Sequence, residues 1–208
     1  MTTIAEQIAQ DLLQIQAVTL RPQEPFTWAS GLKAPIYTDN RQTIAFPEVR
    51  NHIADGLAAL IQECYPNATV IAGVATAGIP HAALVADRLH LPLSYVRPKP
   101  KDHGAGKQIE GQIDSSDQVV LIDDLISTGG SVLNAAQAVQ TKASVIGVAA
   151  IFSYGLPDSL TNFQQAQIPL HTLTNYQTLI TTAHNQNKIT PEDLQLLQQW
   201  HQDPHHWN

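Results

Sequence analysis

Residues 119–131 read VVLIDDLISTGGS, and they combine a strand pattern, an acidic pair and a glycine-containing turn. The apolar run 119–122 has the length and composition of a strand buried on both faces. Asp123 and Asp124 stand where we expect this strand to end. Residues 127–131 then open a pattern with apolar side chains at the spacing of one helix face. The stretch therefore predicts a strand, a loop and a helix in direct succession.

The predicted loop has the properties of an anion-binding site. The first N–H groups of a helix lack intrahelical partners, lie at the positive end of the helix dipole, and are easily approached where glycines flank them. The neighbouring carboxylates can accept hydrogen bonds from hydroxyls or hold the waters of a hard cation. The loop lacks both the lysine of the Walker A pattern and GxGxxG spacing, which disfavours nucleoside triphosphates and dinucleotides. The ligand that fits is an anion that is also a polyol, and the alternative is an ordinary turn with surface acids.

The composition predicts a single globular domain over residues 1–208. Hydrophobic residues make up 43% of the chain and charged residues 14%, and no apolar run is long enough to cross a bilayer. The N-terminus lacks a basic leader, so we expect a cytoplasmic enzyme. Cys64 is the only cysteine, which excludes an intrachain disulfide and a multi-cysteine zinc site. A formal charge of −7 argues against a nucleic-acid binder.

Basic residues are concentrated in one segment of this acidic chain. Residues 97–112, RPKPKDHGAGKQIEGQ, carry Arg97, Lys99, Lys101 and Lys107, four of the eleven lysines and arginines. The segment has no apolar periodicity, and its prolines and glycines predict that it contains no regular element. Long loops of this kind are usually functional. We interpret the segment as a lid over a small anionic ligand, with a solvated charged loop as the alternative.

Strands and helices alternate along most of the chain, which predicts an α/β fold with a largely parallel sheet. We expect strands at 69–75, 91–96, 145–152 and 170–173, short antiparallel strands within 26–41, and helices at 2–16, from Pro47, from 77–79, at 157–166, at 176–184 and from Thr190. In such folds ligands bind at the carboxyl ends of the strands. Asp123, Asp124, Ala77-Gly78, Arg97 and Tyr154 all fall at such ends.

Two further clusters have a structural and a functional interpretation. Residues 26–41 hold Lys33, Tyr37, Asp39 and Arg41 as potential ligand contacts, although a structural hairpin is the favoured interpretation. The C-terminal HQDPHHWN carries three histidines, but without a supporting carboxylate or cysteine framework a frayed terminus is favoured over a metal site.

Four segments together resemble the bacterial orotate phosphoribosyltransferases, of the Gram-positive type. They are FTWASGLKAPIYTDNR (26–41), IAGVATAGIPHAALVADRL (71–89), YVRPKPKDHGAGKQIEG (95–111) and VVLIDDLISTGGS (119–131). The resemblance implies a type I phosphoribosyltransferase fold, with a mainly parallel sheet flanked by helices and a small hood from N- and C-terminal segments. It also implies transfer of ribose 5-phosphate from phosphoribosyl diphosphate (PRPP) to orotate, giving orotidine 5′-monophosphate and diphosphate.

The resemblance assigns expected roles to individual residues. Lys101 and Asp124 are the expected catalytic residues, and Ser127 and Tyr37 are expected to contact orotate. The expected PRPP contacts are Arg97, Lys101, His103, Asp123, Asp124, Leu125, Ile126, Ser127, Thr128, Gly129, Gly130 and Ser131. Mg²⁺ is expected to be held mainly through oxygens of PRPP and diphosphate, without dedicated protein ligands. The family also implies a homodimer in which each lid covers the neighbour's site, with neither nucleic acid nor membrane as partner.

Two alternatives remain at this point. One is a phosphoribosyltransferase for another nucleobase, such as a purine or uracil. The other is a PRPP-sensing regulator that uses the fold to control transcription or RNA. A regulator should show a basic face or an added nucleic-acid-binding domain, and this sequence shows neither.

Overall fold

The computed structural model describes residues 2–28, 31–99 and 108–207. The strands are β1 (Val18–Leu20), β2 (Phe26–Thr27), β3 (Lys33–Ala34), β4 (Ile36–Thr38), β5 (Val70–Val74), β6 (Leu93–Val96), β7 (Ile109–Glu110), β8 (Gln118–Ile126), β9 (Ser144–Ser153) and β10 (Leu170–Asn175). The helices are α1 (Ile4–Gln14), α2 (Pro47–Cys64), α3 (Gly78–Leu89), α4 (Gly130–Gln140), α5 (Pro157–Ala166), α6 (Tyr176–Asn185) and α7 (Pro191–Gln202), and Asn40–Ala45 form a 3₁₀ helix.

A six-stranded sheet in the order β10-β9-β8-β5-β6-β7 forms the centre of the fold. Its strands pair in parallel except for β7, which is antiparallel to β6. Alternate residues of β8 enter two cores: Val120 and Ile122 pack with α1–α3, α6 and α7, whereas Val119 and Leu121 pack with α4 and α5. Helices thus cover both faces, and this explains why the strands read as continuous apolar runs.

The predicted α/β class and mainly parallel sheet are confirmed. Helix α5 has the predicted ends, α2 begins at Pro47, and α7 begins after Thr190, whose side chain accepts from the N–H of Asp193 in a capping box. Helix α1 is shorter than the predicted 2–16 because Thr3 caps its start and Ile15 is already its C-terminal cap. No helix in the described ranges combines the length and the apolar character needed to cross a membrane.

Three local predictions were wrong. Strand β8 does not end at Ile122 but continues to Ile126, since β9 runs alongside it and supplies backbone partners. Residues 97–112 do contain a regular element, because Ile109–Glu110 pair with Tyr95 and Val96. Residues 203–207 are not frayed: they form turns after α7, and Pro204 is buried.

The N- and C-terminal segments meet in an aromatic cluster that joins the hood to the sheet. Trp28, just after β2, lies 4.9 Å from Tyr154 and 5.7 Å from Trp200 between ring centroids. The indole N–H of Trp200, in α7, donates to the carbonyl of Lys33 at 3.0 Å, and that of Trp28 donates to Ile36 O at 3.0 Å. These bonds satisfy the polar atoms of large buried rings and fix the hairpin above the carboxyl edge of the sheet.

A tyrosine at the end of α2 constrains the packing beneath the sheet. The Tyr65 hydroxyl lies 3.0 Å from both Val148 O and Pro169 O and 2.9 Å from His171 Nδ1. Its ring lies directly over Gly147 of β9, where an added Cβ would come within 2.1 Å of Cε1. Position 147 therefore has no room for a side chain.

We expect Gly147→Ala to lower the free energy of unfolding by about 1–3 kcal/mol, because the added methyl must displace a ring held by its hydroxyl. Denaturant unfolding followed by circular dichroism measures the loss. In a Tyr65→Ala background the same substitution should cost little, since the ring is gone. An equal loss in both backgrounds would contradict the proposed clash.

Candidate active site

The acidic pair lies in a part of β8 that pairs with a neighbouring strand on one side only. Pairing between β5 and β8 ends at Ile122, whereas pairing with β9 continues to Ile126. Asp123 and Asp124 therefore stand beside a gap at the carboxyl edge of the sheet. Their backbone is held on the β9 side, and the N–H of Asp124 donates to Asp123 Oδ1 at 2.9 Å. Both carboxylates therefore belong to residues within β8, and the strand continues beyond them to Ile126.

Burial dominates the electrostatics of this pair. Asp123 is only 7% exposed. Burial and the nearby Asp124 carboxylate raise the pKa of Asp123 to about 8. Burial also raises the pKa of Asp124, against the influence of its hydrogen bonds and of the Arg41 cation. Without a ligand, the pair therefore tends to retain a proton near neutral pH, and it is ready to accept hydroxyl donors or positive charge.

The predicted phosphate loop is shaped by α5. Gly129 caps α4 with φ +82°, and a Cβ there would lie 2.6 Å from Phe163 Cε2. Asn162 Nδ2 donates to Thr128 O at 2.9 Å. Gly130 opens onto free space, with Thr128 Oγ1 3.8 Å from an added Cβ. Position 129 therefore requires glycine for both its backbone conformation and its contact, while position 130 leaves the loop open to a ligand.

A pocket of about 310 Å³ lies in front of the acidic pair. It is lined by Thr38, Asp39, Asn40, Arg41, Ala75, Thr76, Ala77, Asp123, Asp124, Leu125 and Ser131. The 75–77 loop sits close to β8, because a Cβ on Gly78 would lie 2.2 Å from Ile122 O. Ala77, which the sequence placed at the carboxyl end of a strand, thus lies on the wall of this pocket.

The start of the predicted lid adjoins the same region. Arg97 N donates to Gln108 O at 2.9 Å, and Gln108 Nε2 donates to Arg97 O at 2.9 Å. The Arg97 guanidinium lies 4.0 Å from Glu110 and lines a small cavity of about 70 Å³ together with Ala75 and Ser131. Lys101 and His103, the other two expected lid contacts, lie outside the described residues.

A second cavity, of about 570 Å³, lies between the hood and the phosphate loop. Ser127 and Thr128 line one side and Trp28 and Leu32 another, while α5 and the 202–205 segment close it. Ser127 therefore stands between a polar loop and an apolar wall. Tyr37 lies in the hood, 46% exposed and 5.6 Å from Phe26 between ring centroids. Its assignment to orotate stays a prediction.

A buried polar chain supports the acidic pair, and sequence reasoning did not find it. Asn40 Nδ2 donates to the carbonyl of Asp124 at 2.7 Å. The Thr43 hydroxyl donates to Asn40 O at 2.6 Å and lies 3.3 Å from His81 Nε2, which is therefore the donor to Thr43. Burial lowers the pKa of His81 to about 4, so its ring is neutral at physiological pH.

These supporting residues differ in how far the sequence points to them. Asn40 lies within residues 26–41, where the sequence already shows several potential ligand contacts, so the sequence does point to the region around it. Asn162 and Phe163 come more than thirty positions after the loop that they hold, and no local pattern marks them. The C-terminal histidines serve structural contacts: His201 Nε2 lies 2.7 Å from Tyr154 O, and His205 lies 3.5 Å from Asp158.

The oxygen atoms of this site can be compared with the ligands that a divalent cation prefers. Asp123 and Asp124 are hard oxygen donors of the kind that Mg²⁺ prefers. Within residues 2–28, 31–99 and 108–207, however, no three His, Cys, Asp or Glu side chains are grouped so as to hold a metal ion. The residues present fit an ion that brings most of its ligands from water and substrate.

The raised pKa of Asp123 predicts a pH-dependent effect on stability. Between its ordinary value of 3.8 and about 8, the folded state binds more protons at this site than the unfolded state. Stability from this group is therefore present below about pH 4 and is lost as the pH rises through 8. At pH 8 the free energy of unfolding of Asp123→Asn should exceed that of the wild type by at least ~1 kcal/mol, so the variant should unfold at a higher temperature. This gain in stability should shrink as the pH falls toward 4.

Thermal unfolding across pH 4–9, without ligand, measures this difference. Glu24→Gln, an amide replacement at an exposed carboxylate, is the matched control and should leave the pH dependence unchanged. A stability difference for Asp123→Asn that is constant with pH would show that Asp123 has the same pKa in the folded and unfolded states.

Comparison with known proteins places this geometry in a family. Residues 47–161, more than half of the chain, match the sequence model of the phosphoribosyl transferase domain. An orotate phosphoribosyltransferase of Levilactobacillus brevis is 71% identical over 204 residues, covering 98% of this chain and 97% of its own. One from Lactiplantibacillus plantarum is 61% identical over 208 residues, covering 100% of this chain and 98% of its own.

A solved structure agrees with this relationship. The crystal structure of orotate phosphoribosyltransferase from Aeropyrum pernix superposes with a TM-score of 0.75 and 25% identity, over 88% of this chain and 99% of that one. The fold, the acidic pair beside a glycine-containing loop, and near-complete alignment with close relatives lead to one conclusion: the chain belongs to the orotate phosphoribosyltransferases of the type I phosphoribosyltransferase family.

Proposed function

We propose that this protein transfers ribose 5-phosphate from PRPP to orotate, as one phosphoribosyltransferase domain over residues 1–208. The products are orotidine 5′-monophosphate and diphosphate, which places the enzyme in pyrimidine biosynthesis. One observation carries the proposal: an acidic pair on β8 is followed directly by the loop before α4, in a chain of which 98% aligns at 71% identity with an orotate phosphoribosyltransferase. The alignment narrows the acceptor from nucleobases in general to orotate.

The sugar phosphate is the part of PRPP that β8 and α4 are suited to hold. The 5′-phosphate would accept hydrogen bonds from N–H groups of residues 127–131, at the positive end of α4. The ribose hydroxyls would donate to Asp123, whose carboxylate is buried, and to Asp124, which is half-buried. These contacts fix C1′ relative to the two cavities. Leu125 and Ile126 belong to the same site through their backbone.

The reaction breaks the C1′–O bond to diphosphate and forms a bond from C1′ to N1 of orotate, with loss of the N1 proton. The electron pair of the broken bond leaves with the diphosphate, so the sugar gains positive character while the leaving group gains negative charge. Asp124 stabilises the sugar side of this charge separation. Stabilisation of the leaving group matters more here than a strong base or a nucleophile.

The leaving diphosphate is assigned to the lid. Arg97 lies at the base of the lid, near Ala75 and Ser131. Lys101 and His103 follow within the 97–112 segment, and we expect Lys101 to interact most strongly as negative charge develops. Mg²⁺ bound together with PRPP would neutralise part of the diphosphate charge. Asp123 and Asp124 would then hold its waters or the hydroxyls beside it, with no dedicated protein ligand.

Orotate is assigned to the hood side of the phosphate loop. The cavity between Trp28, Leu32 and Ser127 offers an apolar wall for a planar ring and a hydroxyl for its polar edge. Tyr37 would flank the base when the hood settles on the substrate. We further propose that the enzyme acts in the cytoplasm as a homodimer in which each lid closes over the partner's site.

The acceptor assignment predicts that orotate is consumed only when PRPP and Mg²⁺ are both present. Uracil, hypoxanthine and adenine should be poor acceptors by comparison. The loss of orotate absorbance, with chromatography of the products for the other bases, measures each rate. Faster turnover of any other base would overturn the acceptor assignment, and PRPP binding without turnover of any base would favour a regulator.

The shared lid predicts recovery of activity from two inactive proteins. Lys101→Ala removes the leaving-group contact, and Asp124→Asn removes the sugar contact; each should lower kcat by ~10²-fold or more. In a mixed dimer, a lid acting in trans places both lesions in one site and leaves the other intact. Random reassociation of equal amounts should then restore about a quarter of wild-type activity.

Subunit exchange in this experiment is verified with two different affinity tags on the two variants. Recovery of about a quarter supports a lid that acts across the interface. Exchange without recovery would show that each lid closes on its own subunit, because every site would then keep one lesion.

A further inference from the structure

The pocket in front of the acidic pair has an unusual balance of charge for a site that receives PRPP. Three carboxylates, those of Asp39, Asp123 and Asp124, line its wall. Among the described residues that line it, Arg41 is the one that carries a positive charge. A diphosphate group entering this pocket would be repelled unless that cation faces it. The wall therefore makes Arg41 the first candidate for an anion contact.

The geometry of Arg41 suits such a contact. Its Nε lies 2.5 Å from Asp39 Oδ1, and its side chain is 66% exposed. Because Arg41 pairs with Asp39 through Nε, N–H donors of the two Nη groups are left for other acceptors, and the end of the guanidinium can bind two phosphate oxygens at once. Side-chain freedom is thus reduced before any ligand arrives, which lowers the entropic cost of binding.

The backbone under Arg41 is fixed to the same residues that define the sugar site. Asn40, the residue before it, donates its side-chain N–H to Asp124 O at 2.7 Å. Asp39 N donates to Ala17 O at 2.7 Å, and Gln42 N donates to Asp39 O at 3.2 Å. The 3₁₀ helix therefore holds Arg41 at a set position beside the acidic pair. Its charge is felt there, since it opposes the rise in the pKa of Asp124.

The opposite wall completes an anion subsite. The 75–77 loop leads into the N-terminus of α3, which is the positive end of the helix dipole. This loop and Arg41 line the same pocket, whereas Thr128, Gly129 and Gly130 of the phosphate loop do not, and only Ser131 of residues 127–131 reaches its wall. The two ends of PRPP are thereby separated: the 5′-phosphate belongs to the loop before α4, and the pocket holding Arg41 receives the other end.

We propose that Arg41 binds the diphosphate group of PRPP within its own subunit, and that Asp39 is its positioning residue. This inference rests on the proposed function, since it assigns a further residue to that same substrate. It gives the diphosphate a cationic contact on the body of the protein, distinct from those of the lid. Arg41 binds both the substrate and the diphosphate product, whereas the lid acts as charge develops.

Ligand binding to the full-length variants separates this role from others. Calorimetric titrations with Mg²⁺-diphosphate, with ribose 5-phosphate and with PRPP are compared for wild type, Arg41→Ala, Arg41→Lys and Asp39→Asn. Arg41→Ala should weaken diphosphate and PRPP by about tenfold or more, and ribose 5-phosphate by less than about twofold. Arg41→Lys should recover part of the affinity, because charge returns without the fork.

The positioning role of Asp39 has its own measurement. Asp39→Asn should raise KM for PRPP by about threefold with kcat nearly unchanged, because the guanidinium keeps its charge but loses its orientation. Asp39→Glu should restore part of the loss. Arg88→Ala is the matched control: Arg88 Nε also pairs with an aspartate, Asp55, but lies in α3 away from the pocket, so its loss should leave all three affinities unchanged.

The outcomes distinguish this inference from the function beneath it. If the wild type fails to bind PRPP, the proposed function fails. If the wild type binds PRPP but Arg41→Ala keeps full diphosphate affinity, Arg41 is a surface ion pair only and the inference is overturned. Equal weakening of diphosphate and ribose 5-phosphate would also overturn it, since Arg41 would then support the whole site rather than one end.

Discussion

The burial of the Asp123 carboxylate next to the half-buried Asp124, on a part of β8 that pairs on one side only, is the constraint on which the rest of this structure depends. Charged groups avoid such positions unless hydrogen bonds or ligands compensate them. Here β9 continues beyond the end of β5 and keeps Asp123 within the sheet, while the missing neighbour leaves its carboxylate facing a pocket. Asn40 fixes the backbone of Asp124 from outside the sheet. The apolar cores on both faces hold β8 in place against this unfavourable burial. The packing of these two cores thus stabilises a poorly solvated site before a ligand binds.

Much of the fold and part of the site could be predicted from sequence, because the relevant forces are local. Continuous apolar runs marked β5, β8 and β9, since a parallel sheet covered on both faces leaves no polar alternation. The ends of α5 followed from its proline and its periodicity. The extension of β8 past Ile122 could not be predicted, because it depends on which neighbour runs further. Strand β7 depends on β6 in the same way. Asn162 and Phe163 shape the phosphate loop only through tertiary contact.

The hood shows how distant segments are combined into one cavity wall. Trp28 follows β2, Tyr154 follows β9 and Trp200 belongs to α7, yet their rings lie against one another. Each brings a polar atom that finds a backbone or side-chain partner, so the cluster has a defined geometry rather than a merely apolar contact. Helix α5 connects this wall to the phosphate loop, because Leu156 and Pro157 line the cavity while Asn162 holds Thr128. The cavity of about 570 Å³ and the loop before α4 therefore share one supporting element.

The paired bonds between Arg97 and Gln108 close the ends of the intervening segment against each other. These bonds hold the two ends of the segment side by side at the end of β6 and the start of β7. The entropic cost of closing such a loop rises slowly, by ~0.6 kcal/mol for each doubling of its length. Residues can therefore be inserted or removed between the two ends with little effect on the core. The length of this segment can therefore change in evolution while β6, β7 and the sheet behind them stay the same.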